Sequence, residues 1–427
     1  ERAGIYTLSD AVKRFAGANV RDYGGIGGMK TVSVRNLGAG HTAVSYDGVT
    51  VSNTQAGQID LSRFTTDNVQ NVTLTLGEDD DVMQPARHRA SAAVLSITGR
   101  KPVFADGRDW SLRTRVRSGS WGLLSPQLRY WQRLGDSLTL SLDGTYMRAD
   151  GRYPYELPNG AERLTDKRHN TDIYSWQGEA NLYALLPRGS RLDVKAQWFS
   201  SSRGLPGAVI LYNTKKSHER MWDEEFFVQS VYGQDIGRRM KLEARAKYVS
   251  SWNRYADTDV KYPGGRLVET YRQNEYYASA TIGWFPFRGL SLSLAQDAFV
   301  NTLSSNTENH AAPRRLTSLT ALTARWTAGR AEIGAGLVAT WATEHVERGD
   351  RPSDRRRLSP SAAFSLRLLR NEALYLRAMY KHTFRLPAFN DMYYARSGTS
   401  TLVPEKAEEL NVGLAWTSRP TGCLAYV

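Results

Sequence analysis

The residue types that most often do chemistry are thinly spread along this chain. Its seven histidines, His41, His88, His169, His218, His310, His345 and His382, stand far apart, and none lies in an HExxH pattern or a tight metal-ligand spacing. Cys423 is the only cysteine, so the sequence offers no intrachain disulfide and no thiolate metal site. Gly24, Gly25, Gly27 and Gly28 lack the GxxxxGK[ST] pattern of a phosphate loop and the strand-turn-helix context of a dinucleotide fold. Asp79, Asp80 and Asp81 are adjacent acids without EF-hand spacing, and a solvated turn is the simpler reading. No catalytic residue, metal site or cofactor is expected, and an enzyme is not. What stands out instead are charges set at every second position: Lys195, Glu243, Arg245, Lys247 and Arg377.

These charges alternate with apolar residues. Leu242, Ala244, Ala246 and Tyr248 interleave with Lys241, Glu243, Arg245 and Lys247, and Leu138, Leu140 and Leu142 interleave with Thr139, Ser141 and Asp143. A period of two is a strand with one apolar face. Fourteen such strands are predicted: 111–118, 125–134, 137–148, 171–186, 189–203, 221–236, 238–253, 269–285, 288–302, 314–328, 330–346, 357–369, 372–385 and 405–417. Many exceed ten residues, the length a tilted strand needs to cross a bilayer. Short connections (134–136, 186–189, 237–238, 286–289, 328–330) alternate with long ones (149–170, 204–220, 254–268, 303–313, 347–356, 386–404). That asymmetry belongs to an outer-membrane barrel. The apolar face meets lipid, and the charged face a wet or plugged lumen.

Composition agrees. No apolar run is long enough for a membrane helix. The 22 tyrosines and 11 tryptophans suit interfacial girdles, with Tyr130, Trp131, Trp198, Trp284 and Trp416 as candidates. The net charge of +13 is dispersed among acids, so no nucleic-acid partner is expected. The one basic cluster, Arg355, Arg356 and Arg357, is read as a solvated turn. Basic loops suit acidic lipopolysaccharide or an anionic ligand.

Residues 1–103 read as a separate α+β unit. Thr7 or Ser9 caps a short helix carrying Leu8, Val12 and Phe15. Strands follow at 31–35, 42–46, 69–76 and 92–98, with an Asp47-Gly48 turn and a turn or short helix at 58–67.

The run VSVRNLGAGHTAVSYDGVTVSNTQAGQIDLSRFTTDNVQNVTL at 32–74 resembles the plug of TonB-dependent outer-membrane receptors. Its Val34-Arg35-Asn36, Ser45 to Val51, Asn53 to Gly57 and Asp60 to Gly77 match plug motifs in order, with Asn36 where the family has glycine. FRLPAFNDMYY at 384–394 and LVPEKAEELNVGL at 402–414 resemble late-barrel motifs of the same family. AGQIDL at 56–61 and QPARHRASA at 84–92 resemble receptors from Bacteroidota-type bacteria. The plug end at 86–98 has fewer glycines than is usual.

The resemblance implies an outer-membrane β-barrel with an N-terminal plug at 1–103 and the first part of a barrel at 104–427. About fourteen of the family's twenty-two strands are present, so the chain reads as an incomplete piece, and no TonB box resembling the family's precedes the plug. It implies TonB-dependent uptake of a bulky scarce nutrient, such as a ferric siderophore or a corrinoid. Haem is disfavoured, because no histidine lies between 388 and 401. Expected partners are outer-membrane lipid and lipopolysaccharide, a TonB-like energising protein, the bulky ligand and a surface lipoprotein. The implied ligand contacts are Asn53, Gln55, Gln58, Asp80, Gln84, Arg87 and His88 from plug turns at the long-loop end, with Tyr153, Trp222 and Tyr393 closing over them. The implied plug latch is Arg35, Asp60 and Arg63, with Arg35 on a central plug strand. The alternative reading is a non-transporting outer-membrane binding or adhesin module, or a subunit of a split or multi-protein barrel.

Overall fold

The computed structural model describes residues 5, 7–105, 107–209, 211, 217–370, 373–394, 396–417 and 424–426. Cys423 lies outside the described residues.

The front unit begins with α1 (Leu8–Val12), which Thr7 caps: its side chain accepts from the Asp10 N–H, and the Asp10 side chain accepts from the Thr7 N–H in return. β1 (Ala18–Asp22) and β2 (Lys30–Val34) form a hairpin. β3 (Thr42–Tyr46), β4 (Val49–Val51), β5 (Val69–Leu76) and β6 (Ala93–Gly99) form a four-stranded sheet in the order β4-β3-β6-β5, with β3 and β6 parallel. α2 (Ala86–Arg89) lies between β5 and β6. The core of this unit is largely its own: Leu8, Val12, Val44, Leu61, Leu95 and Ile97 are buried together. Each fully buried aliphatic side chain contributes about 1.5–3 kcal/mol. From the surrounding wall only Phe227 and Val249 join that core.

The wall follows in chain order. It starts with β7 (Trp110–Gly119), β8 (Leu123–Arg133) and β9 (Leu138–Ala149). A separate hairpin, β10 (Pro154–Asn159) and β11 (Glu162–Lys167), fills the next long loop. The wall continues with β12 (Ile173–Leu185), β13 (Arg191–Leu205), β14 (Glu219–Ile236), β15 (Met240–Thr258), β16 (Arg266–Trp284) and β17 (Leu290–Ser305). Then come β18 (Arg314–Ala328), β19 (Ala331–His345), β20 (Arg355–Arg367), β21 (Ala373–Arg385), α3 (Phe389–Tyr393), β22 (Glu405–Thr417) and the short β23 (Leu424–Tyr426). All of these strands except β10 and β11 pair antiparallel with their neighbours in one sheet. Its two ends do not meet among the described residues, so the sheet curves around the plug as an open wall, consistent with an incomplete barrel.

The period of two sets the facing. On β12 to β18 the odd-numbered residues turn inward, as with buried Glu179, Lys195, Asp223, Lys247, Glu275, Asp297 and Arg315. The even-numbered side carries exposed Trp176, Trp198, Phe226, Tyr276, Ile282, Leu294 and Leu322. Two details differ from the sequence reading. Trp131 faces the lumen, where Arg129 stacks 5.5 Å from its ring centroid, so it is no girdle residue. Arg355, Arg356 and Arg357 open β20 rather than sitting in a turn, and Arg355 donates to the Leu402 carbonyl at 2.9 Å.

Candidate functional site

The plug is held to the inner face of the wall mainly by buried polar contacts; the apolar patches the two share are small, Phe227 and Val249 against the plug core and Ala86 of α2 against Ala295, Leu319, Ala321 and Val338. Arg63 closes a 3-10 turn (Leu61–Arg63) that Asp60 caps by accepting from the Ser62 N–H. Its Nη1 donates to Glu225 Oε2 at 2.8 Å, and Asp223 lies 3.7 Å from Nη2. Asp223 also meets Arg203 at 3.2 Å, and Arg203 reaches back to Asp60 at 3.8 Å and to the Gly27 carbonyl at 2.9 Å. Arg63 and Asp60 therefore share one network with the wall.

A second anchor is Arg87 on α2. It grips Glu275 with two hydrogen bonds of 3.0 and 3.1 Å and lies 4.3 Å from the centroid of the Phe299 ring. Asp297, fully buried, accepts from the N–H groups of Ala86 and Arg87 at 3.2 and 2.9 Å and from the Tyr277 hydroxyl at 2.9 Å. A third anchor is Lys195, 2.5 Å from Glu179 and 3.1 Å from plug residue Asp47; the Tyr46 hydroxyl donates to Glu179 at 2.7 Å. Lys247 donates to the Thr50 carbonyl at 3.1 Å, and Lys381 to the Gly77 carbonyl at 2.8 Å. Such pairs add little net stability to a fold, yet losing one partner costs about 3–5 kcal/mol because the other is left buried and unpaired.

The plug apex is the turn 53–57. Gln55 is buried: its N–H donates to Gln273 at 3.1 Å, and its side-chain carbonyl accepts from Asn253 at 2.8 Å. Above it sits α3, in the long loop between β21 and β22. The Phe389 and Asn390 N–H groups donate to the Thr54 and Gln55 carbonyls, both at 2.9 Å. The Phe389 side chain is fully buried with Tyr271 and Leu303, and Arg315 stacks 4.7 Å from its ring centroid. The Tyr393 hydroxyl donates to Glu344 at 2.8 Å. The two late sequence motifs also meet here. Arg385 makes two hydrogen bonds to Glu405, at 3.0 and 2.6 Å, and Glu405 takes plug residue His41 at 2.6 Å.

The candidate ligand residues are separated by depth. Asn53 and Gln55 lie at the apex, Tyr393 in the α3 cover, and Gln58 half-buried in the turn below. Arg87 is at mid-height. The chain between β5 and α2 dips to the short-turn end, so Asp80 lies beside Arg325, 3.2 Å apart, near the end of β18. Gln84 there binds Asp81 and accepts a hydrogen bond at 2.8 Å on assigning the proton to His88 Nδ1. Asp80, Gln84 and His88 therefore do not share the long-loop surface with Asn53. Trp222 is an even-numbered residue of β14 and points outward, between Arg220 and Arg254. Tyr153 stacks edge-on against Trp121, 6.5 Å away, in an outer loop. Arg35 sits just past β2, outside the four-stranded sheet, exposed and with a left-handed φ of 51°; its Nη1 donates to Asn411 at 2.5 Å. Asn36 follows at φ 61°, a conformation that the family's glycine takes freely and asparagine tolerates.

Glu275, Asp297 and Gln273 were absent from the sequence-based site, although their inward parity was visible. A cavity of about 220 Å³ opens between the plug and β17 to β21, lined among others by His41, Asn53, Arg87, Asn301, Arg315 and Arg385. Among the described residues no cluster of three His, Cys, Asp or Glu side chains has metal-binding geometry.

His88 gives the plug a pH dependence. Burial, then the nearby Arg245, Arg87, Arg89 and Lys381, push its pKa down to about 3. An unfolded histidine titrates near 6.5. The unfolded plug therefore binds a proton that the docked plug refuses, and plug stability is lost as pH falls from about 6.5 toward 3. His88→Gln is expected to flatten this dependence, read as the urea midpoint of plug unfolding between pH 7 and pH 4.5; an unchanged slope contradicts it.

A plug filling an antiparallel wall with apolar outer and charged inner faces is the architecture of a TonB-dependent outer-membrane receptor, and it places the protein in the outer membrane. Residues 1–81 match the TonB-dependent receptor plug domain. The fold is similar to that of the copper transporter OprC (TM-score 0.74, 14% identity, 96% of this chain and 66% of that one). It is also similar to the FrpB iron transporter from Neisseria meningitidis (0.75, 11%, 97% and 68%) and the siderophore receptor PirA from Acinetobacter baumannii (0.67, 12%, 99% and 72%). The chain spans about two thirds of the length of these structures.

Proposed function

We propose that this protein is an energised uptake receptor that carries a bulky, scarce nutrient, a ferric siderophore or a corrinoid, across the outer membrane without changing it chemically. The observation that carries this reading is the plug–wall boundary. The plug's main apolar core is largely its own, with only small apolar patches shared with the wall, while the anchoring contacts to the wall are mostly hydrogen bonds and ion pairs. Water can replace those contacts one by one as the plug shifts, whereas a shared apolar core would resist. Ligand arriving at the long-loop end would press on α3 and the 53–57 turn. A TonB-like partner pulling from the periplasmic side would then widen the cavity beside β17 to β21 into a path. The division into plug and wall near residue 103 is part of this reading. The iron, siderophore and copper named for the similar structures support metal chelates as the first ligands to try.

The test is uptake by proteoliposomes holding the full-length receptor and an energised TonB-type partner, offered a panel of ferric siderophores, corrinoids and haem. Accumulation that needs the partner supports the reading. Accumulation that persists without the partner contradicts energised transport, and binding without accumulation returns the non-transporting module.

A further inference from the structure

Among the described residues on the outer face of the wall, strand arginines occur only toward the long-loop end, and from β14 to β18 they step by two residues toward the short-turn end relative to the register. Arg220 on β14 pairs in register with Ala256, two residues beyond Arg254 on β15. Arg254 pairs with Thr270, two residues before Arg272 on β16. Arg272 pairs with Ser304 on β17, two residues from Thr302, the partner of Arg314 on β18. Arg254 is the diagonal neighbour of both Arg220 and Arg272, and such neighbours stand about 7–8 Å apart, whereas β17 separates Arg272 from Arg314. All four are even-numbered residues on the side opposite the plug.

Their partners differ from those of the inward arginines. Arg315, next to Arg314, is buried and hydrogen-bonded to Glu344. Exposed Arg314 and Arg272 and half-buried Arg254 form no ion pair among the described residues. The buried Nε of Arg254 has no hydrogen-bond partner, and its guanidinium lies 5.0 Å from the centroid of the Trp222 ring. Arg220, on the other side of Trp222, is held by Asp172 at 2.8 and 3.0 Å. One further acid shares the face: Glu224, opposite Trp252, which separates it from Arg272.

Depth decides what these groups meet. Below Arg254 the outward residues of β15 are Trp252, Ser250, Tyr248, Ala246, Ala244 and Leu242. Twelve strand residues at the tilt of a barrel rise roughly 30 Å along the membrane normal. The guanidiniums therefore ride just above the hydrocarbon, at the headgroups of the outer leaflet.

We propose that Arg254, Arg272 and Arg314, with Trp222 beside Arg254 and Trp252 beside Arg272 in register, bind the phosphates of a phosphorylated glycolipid of the outer leaflet, the lipid A part of lipopolysaccharide. Guanidinium forks suit phosphate oxygens, and the indoles suit the sugar and upper acyl chains. Exposed Arg272 and Arg314, with no ion-pair partner among the described residues at this depth, are what a bound anion would complete.

The experiment is native mass spectrometry of the full-length receptor exchanged into nanodiscs containing diphosphoryl lipid A, monophosphoryl lipid A or phosphatidylglycerol. Wild type is expected to retain diphosphoryl lipid A over both others. In the double variant Arg254→Gln/Arg272→Gln that retention is expected to fall about 30-fold, at roughly fivefold per arginine, with the heat-modifiable gel shift of the folded wall unchanged. Unaltered retention in the variant overturns the assignment, and so does equal retention of phosphatidylglycerol by wild type. The wild-type comparison needs no variant and stands even where the double variant fails to insert.

Discussion

Replacing Arg63 with alanine is expected to raise the ionic leak through the plugged receptor about 100-fold while the wall stays folded. Arg63 keeps some exposure, 20% of its side chain, so the cost is set near the lower end for a broken buried pair, about 3 kcal/mol. The loss falls on the plug alone. Glu225 keeps a hydrogen bond from Ser251 at 3.0 Å, and Asp223 keeps Arg203, so the wall ladder is undisturbed. Arg35→Ala serves as the internal contrast. Arg35 is exposed and bonds one neutral amide, so its removal costs about 1 kcal/mol and raises the leak less than tenfold. Single-channel recordings in planar bilayers read both. Equal leaks in the two variants would contradict the assignment of Arg63 as the stronger anchor.

Phe389→Ala is expected to release α3 from the plug apex. The side chain is fully buried, and truncating such a phenylalanine costs about 3–5 kcal/mol. The other α3 anchors are smaller: Met392 is buried but unbranched and meets Arg315 through its sulfur, and Tyr393 is partly buried and tied to Glu344 by one hydrogen bond. Hydrogen exchange at the Phe389 and Asn390 amides should then quicken by two orders of magnitude or more, on the order of that energy. The amides of β15 and β16 should stay as slow as in the wild type. Unchanged protection of Phe389 and Asn390 would mean that the loop is held by other contacts and that α3 is no cover.

Much of this architecture was legible because a strand writes its facing into alternate residues. The fourteen wall strands read from the sequence correspond to β7 to β9 and β12 to β22, and the charges at 195, 243, 245 and 247 fall on the inward side. Elements below that resolution were not legible. β1 and α2 are five and four residues long, too short to show a period. The hairpin β10 to β11 carries prolines at 154 and 158, which weaken its strand signal.

The site was less legible for two reasons. Parity says which charges face inward but not which plug group each one meets, so Glu275 and Asp297 gave no sign of Arg87. Residues at strand ends also pass for loop residues. Trp222 sits at the start of the strand predicted at 221–236 and reads as a loop aromatic, yet its even number, shared with outward Phe226, turns it toward the membrane. Arg35 was singled out by motif alone, and the motif does not report that β2 pairs only with β1. The α3 cover is seated by Phe389, one of three aromatics in its loop, and nothing local singles it out, because its burial depends on Tyr271 and Leu303 far away in sequence.

The central claim is that the plug must move against the wall for a nutrient to pass. Met83 and Gly283 offer the direct test, because a Cβ at Gly283 would lie 2.5 Å from the Met83 sulfur. A Met83→Cys/Gly283→Cys receptor carrying Cys423→Ser, oxidised in intact cells, would tie the plug to β16. The measurement is energised uptake of the ferric siderophore or corrinoid that the wild-type receptor accumulates, before and after reduction of that bond. The expected result is uptake blocked in the oxidised receptor, with ligand binding retained, and restored by reductant. Undiminished uptake with the disulfide fully formed would contradict the account.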